Sequence, residues 1–364
     1  MALGPRDLSS LVLLTGWDAT ALKNVQLEDG TTYLTIVSQM NAALAALNAE
    51  LTSDQWGQLV SYTDQPDVEY RVGVSNGFEE YTEYSRADPQ RAAMEGHMIP
   101  LKPWDRRLGW TWSYLKRARA SQITADIRSS IDDARDLWRV KILSRLLKRG
   151  DDSGVNSGLG ATGLSPGFAT TAGSTGVDFT PPSFGGTSFA NTHEHYVGIG
   201  GGVFTNAVFE DANQELAEHG HEPPYEFWIG PSDELVVKAL TKFVPAANVL
   251  VRLGITQDVA LVSEDYIGTI ENFKVRVVRG IPQYYGIGFK TYGSNSPRNP
   301  LSIRLEKGVT RPRIIAMPDP AESNGSFPLQ HLMLYVEFGV GVADRTAATP
   351  RYVNNATWAD GTAT

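Results

Sequence analysis

The sequence predicts an α+β fold in which one compact α/β unit is joined to several long elements that bury little of themselves. Three observations predict it. A single long amphipathic helix runs from about Ser121 to Arg149. Segments of period two lie on both sides of it. A Gly-, Ser-, Thr- and Pro-rich stretch, 151–191, separates it from a region where helices and strands alternate. With 364 residues the chain has room for about two domains.

In chain order, an extended start leads to a helix from near Thr31 to Leu51. Tyr33, Ile36, Val37, Met40, Leu44, Leu47 and Leu51 recur at spacings of three and four and make one apolar stripe. The other face carries Thr35, Ser38, Gln39, Asn41 and Asn48, with no charge before Glu50. A helix so poor in charge is expected to lie against another surface.

From Asp67 the period changes. Val68, Tyr70, Val72 and Val74 alternate, and Phe78 to Tyr84 sets carboxylates beside aromatics. A polar stretch, 85–96, follows, and the chain resumes through Met98–Leu101 to the aromatic Trp110-Thr-Trp112-Ser-Tyr114. This pattern predicts a long hairpin with a charged tip. Trp104, Trp110, Trp112 and Tyr114 would anchor its root, because large rings supply contact area at low entropy cost. Two lone strands are marginal in water, so the hairpin must lie on something.

The long helix carries Ile123, Ile127, Ile131, Ala134, Trp138 and Ile142 as one stripe, widened by Leu137, Val140, Leu143 and Leu147. Ser121 stands where a cap belongs, Lys148 and Arg149 suit the last turn, and Gly150 follows. At 1.5 Å per residue it would be roughly 43 Å long. Asp132, Asp133 and Asp136 lie at helical spacing from Arg128, Arg135 and Arg139, which predicts a salt-bridged, solvated face. Beyond the Gly-rich stretch come a helix from Thr205 to His219, a strand Tyr225–Ile229 and a helix opened by Pro231 and running to Phe243. Strands are expected at 274–278, 285–291, 301–305, 313–316 and 331–342.

Composition narrows the function. The chain is 41% hydrophobic, without an apolar run long enough to span a bilayer, and it has no cysteine, which excludes disulfides and thiolate metal sites. Its formal net charge is -9, with Lys and Arg dispersed. That speaks against a tight duplex-DNA binder, though a wall that merely encloses DNA needs no basic patch. His193-Glu-His195 and His219-Gly-His221, with Glu194 and Glu222, are the residues that suggest metal chemistry. Their spacing departs from the helical His-Glu-x-x-His pattern, so they read as polar loop and helix-end residues. Gly198 to Phe204 lacks the spacing of a phosphate cradle and reads as a flexible lead into a helix. No catalytic, cofactor-binding or metal-ligating residue is assigned, and no cofactor is expected.

The order of elements, together with Leu332-Met-Leu-Tyr-Val-Glu-Phe-Gly-Val-Gly-Val-Ala-Asp344-Arg345, resembles the tailed-bacteriophage major capsid protein family. Its Hong Kong phage-type fold is shared with encapsulins. Val275 to Pro282 and Tyr285 to Phe289 are similar to strands and a turn of the same family. The resemblance covers most of the chain from about Asp67 onward. It implies an N-terminal arm (1–66), an extended hairpin loop (67–113), a peripheral domain with a spine helix and late strands (114–150 and 301–364), and an axial domain (151–300).

The function so implied is that of a non-enzymatic shell subunit. It would form pentamers and hexamers of an icosahedral or prolate capsid around double-stranded DNA, without sequence-specific binding and without a membrane. An encapsulin-type compartment is the alternative, and a metal-dependent hydrolase built on the paired histidines a distant third. Expected partners are further copies of the chain, a separate scaffolding protein, a portal and decoration proteins. The expected location is the virion, with assembly in the host cytoplasm. Candidate subunit-interface residues are Tyr33, Met40, Leu44, Leu47, Tyr81, Tyr84, Arg86, Arg91, Trp104, Arg106 and Arg107, and the Thr31–Leu51 stripe is the expected docking surface for the scaffold. Some relatives weld their shells through a hairpin lysine; none occurs here between Asp67 and Pro100.

Overall fold

The computed structural model describes residues 27–50, 54–72, 93–151, 165–170, 179–246, 265–318 and 329–363. In chain order the helices are α1 (Tyr33–Glu50), α2 (Asp54–Gly57), α3 (Trp112–Arg117), α4 (Ala120–Leu147), α5 (Asn206–Glu218) and α6 (Glu234–Lys238). The strands are β1 (Val60–Thr63), β2 (Asp67–Val72), β3 (Ala93–Met98), β4 (Lys102–Thr111), β5 (Val197–Gly198), β6 (Tyr225–Ile229) and β7 (Phe243–Pro245). They continue with β8 (Tyr266–Ile270), β9 (Phe273–Val277), β10 (Tyr285–Phe289), β11 (Leu301–Arg304), β12 (Ile315–Pro318), β13 (Leu329–Val342) and β14 (Ala348–Tyr352). These elements form two compact units, and the chain passes between them after Trp56, Pro100, Arg139, Arg304 and Phe338, so that α4 and β13 each contribute to both.

The first unit holds the described residues up to Trp56, with Leu101–Arg139 and Leu305–Phe338. The first part of β13 is flanked by two antiparallel partners, with Leu329–Phe338 opposite the whole of β4 and Leu332–Tyr335 opposite β12. The predicted stripe of α4 faces this unit's core. Ile123, Ile127, Ile131 and Trp138 are buried, and Trp138 packs on Phe338 at 4.9 Å between ring centroids. Its outer face carries the expected pairs Asp132–Arg135 and Asp136–Arg139, while Asp133 pairs instead with Arg106 of β4. Such exposed pairs are worth at most about 1 kcal/mol each.

The second unit holds Gly57–Pro100, Val140–Arg304 and the residues from Gly339 onward. Its centre is a seven-stranded sheet of order β5-β14-β10-β6-β9-β8-β7, parallel only at β5/β14 and β6/β9. Every residue of β6 is buried, and its one charge, Glu226, is paired with Arg276 of β9 at 2.8 Å. α5 lays Val208, Phe209, Ala212 and Leu216 over Phe227, Ile229, Phe273 and Val275. Each such side chain contributes roughly 1.5–3 kcal/mol by leaving water. In the same unit Gly339–Val342 of β13 pairs with β11, and β11 pairs in parallel with β1.

Three expectations are corrected. The hairpin's return strand is β3, so the end of the polar stretch is strand, while β4 pairs with β13 and not with the ribbon. The aromatic residues on β4 therefore do not form the ribbon's root. The helix expected from Pro231 to Phe243 ends at Lys238, because Phe243–Pro245 is drawn into the sheet beside β8. Finally β8 and β14, unread in the sequence, complete the central sheet. Val74, the 78–84 segment and the charged tip lie outside the described residues.

Candidate functional site

The stripe of α1 is not an open docking surface. Met40, Leu44 and Leu47 are only 5%, 1% and 1% exposed, so the chain's own residues cover them. Asn48 fixes the helix further: its Nδ2 donates to the Ile314 carbonyl at 3.2 Å, and the Ile314 N–H donates back to its Oδ1 at 2.8 Å. Tyr33 opens α1. On β4, Trp104 and Arg106 line a cavity of about 260 Å³ with Ser130, Asp133 and Leu137. Arg106 Nε donates to Ser130 Oγ at 3.1 Å, which commits this side chain to its own unit. Trp110 is buried and donates through Nε1 to Asp126 of α4 at 3.0 Å. Arg107 stands at the surface, 3.7 Å from Asp105. Tyr81, Tyr84, Arg86 and Arg91 lie outside the described residues.

The ribbon of β2 and β3 has two unlike faces. One turns Val68, Tyr70 and His97 inward; Tyr70 stands edge-on to Phe179 at 5.3 Å. The other carries Met94 and Met98, 57% and 46% exposed, among Asp67 and Glu69. Strand alternation holds these two large apolar side chains outward. Period two across Ala93–Met98 was the signal for it, hidden by the polar neighbours.

The ribbon's root is built from the Gly-Val-Gly-Val-Ala-Asp-Arg run. A Cβ at Gly339 would stand 2.2 Å from the Pro100 carbonyl oxygen, and one at Gly341 2.5 Å from Ile99. Only glycine lets the segment leaving β3 pass this close. Asp344 accepts from the N–H and hydroxyl of Thr346, shaping the turn that follows. Arg345 is 1% exposed and donates to the Gly167 carbonyl at 3.0 Å and to the Tyr70 hydroxyl at 3.3 Å, with Phe179 4.4 Å beneath its guanidinium. Burial disfavours its charge and the Tyr70 contact offsets part of that.

A second constellation joins three of the four paired histidines. His193 and His195 project to one side of an irregular segment, and His219 caps the C-terminus of α5. Gly220, at φ +80°, closes that helix: its N–H donates to Ala217 and the His221 N–H to Leu216, which holds His219 in place. The Nε2 atoms of His193 and His195 each lie 2.9 Å from Nε2 of His219. Oε1 of Glu218 is 3.4 Å from the first and 3.9 Å from His219. His195 Nδ1–H donates to the Ala348 carbonyl at 2.7 Å. Burial lowers the affinity of all three rings for protons, taking His219 down to about 2 with help from its two neighbours. His221 faces away, bonded to Tyr292 and Thr346, and Glu194 pairs with Arg149. Sequence spacing misses this group because its members come from a loop and a distant helix end.

No family model matches the sequence, and no curated protein matches it. Among solved structures, a chain from Mycobacterium phage Patience superposes with a TM-score of 0.65 at 16% identity, covering 93% of each chain. The chain carries the Hong Kong phage-type capsid fold. A capsid chain of the native GTA particle matches with a TM-score of 0.49 at 14% identity over 83% of this chain and 90% of that one. The SrpI encapsulin of Synechococcus elongatus PCC 7942 matches with 0.43 at 13% identity over 98% of both. No helix among the described residues is long and apolar enough to cross a membrane.

Proposed function

We propose that this chain is the major capsid protein of a tailed bacteriophage, assembling through copies of itself into pentamers and hexamers of a shell that encloses double-stranded DNA. The likeness of fold to the Mycobacterium phage chain over nearly the full length of both carries this reading. The ribbon supports it. A two-stranded element with Met94 and Met98 turned outward gains stability when a second copy covers it. In this reading the seven-stranded unit sits at the capsomer centre, the ribbon lies across a neighbouring subunit, and the ring contacts are heterologous and closed. The net charge of -9 suits a wall that surrounds DNA without gripping it. A separate scaffolding protein, a portal and decoration proteins are the remaining partners, and assembly takes place in the host cytoplasm.

The test is expression of the chain, alone and with candidate scaffolding proteins from its genome, followed by electron microscopy and nuclease treatment of particles purified after phage growth. Closed shells with nuclease-protected genomic DNA support the proposal. Closed shells filled with a protein cargo and free of DNA would make it an encapsulin. A stable monomer under all these conditions overturns the shell reading.

A further inference from the structure

We propose that His193, His195 and His219, with Glu218 as fourth ligand, form a structural site for a divalent cation of the zinc type. The Nε2 atoms of His193 and His195 both approach that of His219, and the three ligand atoms lie within 4.8 Å of one another. Hydrogen bonding alone does not account for the meeting. The Ala348 carbonyl can only accept, so His195 carries its proton on Nδ1 and presents a lone pair at Nε2. His219 Nε2 must then donate to His195, which leaves it no lone pair for His193, 2.9 Å away. With the opposite tautomer, His219 and His195 would face each other lone pair to lone pair. One cation among the three nitrogens satisfies all of them at once.

The surroundings are those of a metal site. The Ala348 carbonyl orients the His195 ring from behind, as the outer partner of a zinc-bound imidazole does. Phe189 walls the site, 4.3 Å from the His219 ring and 4.9 Å from His193. His219 stands at the C-terminal end of α5, whose partial negative charge favours a cation. The side chain of His219 is 1% exposed and that of Glu218 29%, so the carboxylate closes the solvent side. The nearby Glu215 is already paired with Arg351 and is not needed as a ligand.

Three nitrogens and one carboxylate oxygen make four protein ligands, the full complement of a tetrahedral structural zinc. No position is left for an activated water, so the site cross-links and does not catalyse. It would fasten the segment after the Gly-rich stretch to the end of α5 and, through Ala348, to β14.

The unaltered full-length chain should be stripped with a chelator, dialysed and given zinc or Co²⁺. One zinc per chain is expected at micromolar free metal, with a raised thermal midpoint and the visible absorption bands of tetrahedral Co²⁺. His193→Ala, at the more open edge of the cluster, should weaken zinc binding at least about 100-fold. His221→Gln, outside it, should leave stoichiometry unchanged. The proposal is overturned if the unaltered chain binds no stoichiometric zinc and shows no tetrahedral Co²⁺ spectrum, or if a folded His193→Ala chain binds zinc as tightly as before. The Co²⁺ spectrum needs no variant, so a misfolded mutant leaves the test intact.

Discussion

Arg345 Nη1 donates to the Tyr70 hydroxyl at 3.3 Å, tying the turn after the longest strand to the first strand of the ribbon. The same guanidinium holds the Gly167 carbonyl and stacks on Phe179. Arg345→Met should therefore lower stability by about 2–4 kcal/mol, since it removes the donor from buried acceptors. Arg345→Lys should not restore it, because an ammonium cannot reproduce the planar fork. Urea denaturation of the disassembled subunit measures both.

Mild acid should loosen the same region. His97, on the ribbon's inner face, is pushed down to about 3, first by burial and then by the charges of Arg345 and Arg145. The unfolded chain takes up this proton near 6.5, so between those values it binds more protons than the folded chain. Stability from this group is complete above pH 6.5 and falls as pH drops toward 3, by about 2 kcal/mol already near pH 5. His97→Leu should flatten that part of the stability-pH curve, and an unchanged slope would show that His97 does not carry it.

Glu215 neutralises Arg351 inside the second unit; Nη2 lies 2.6 Å from Oε2, and the arginine is fully buried. Thr349 donates to the same carboxylate oxygen. Glu215→Ala should cost about 3–5 kcal/mol by leaving a buried cation with only the exposed Asp211 beside it. Denaturant midpoints of the variant and the parent give the value directly.

Gly339→Ala should destabilise by about 1–3 kcal/mol, because the new methyl would overlap the Pro100 carbonyl and push the ribbon's exit from its seat. A crystal or cryo-EM structure of the variant should show β3 displaced near Ile99. Unchanged stability would mean that this close approach relaxes freely.

The outward face of the ribbon should matter to assembly and not to folding. Met94→Glu with Met98→Glu should change subunit stability by less than about 0.5 kcal/mol, as surface substitutions do. Shell yield, read by sedimentation and microscopy, should fall sharply. Charge reversal at Arg86 and Arg91, in the same segment of the sequence, should act in the same direction.

Much of this architecture was readable from neighbouring residues. The three-and-four spacing gave α1, α4 and α5 nearly to the residue, and the aromatic-rich run Tyr225–Ile229 gave β6. The reading failed where distant chain overrode local preference. Phe243–Pro245 leaves a helical pattern to pair with β8, and Met40, Leu44 and Leu47 look like a free stripe until the chain's own core covers them. The histidines were visible as pairs, but His221 is not in the group and Glu218 lies 3.4 Å from His193, which no spacing rule states.

Local periodicity is a property of consecutive residues, so the sequence by itself determined which segments are helix or strand and in what order they follow. That order sufficed for the resemblance to capsid subunits. Only the tertiary structure decided which segments share a sheet, which apolar stripe is already covered, and which side chains meet. Those outcomes depend on contacts between residues far apart in the chain, such as Tyr70 with Arg345 and His193 with His219. Such contacts form only when the whole core has settled on one register, and no window of the sequence contains both partners.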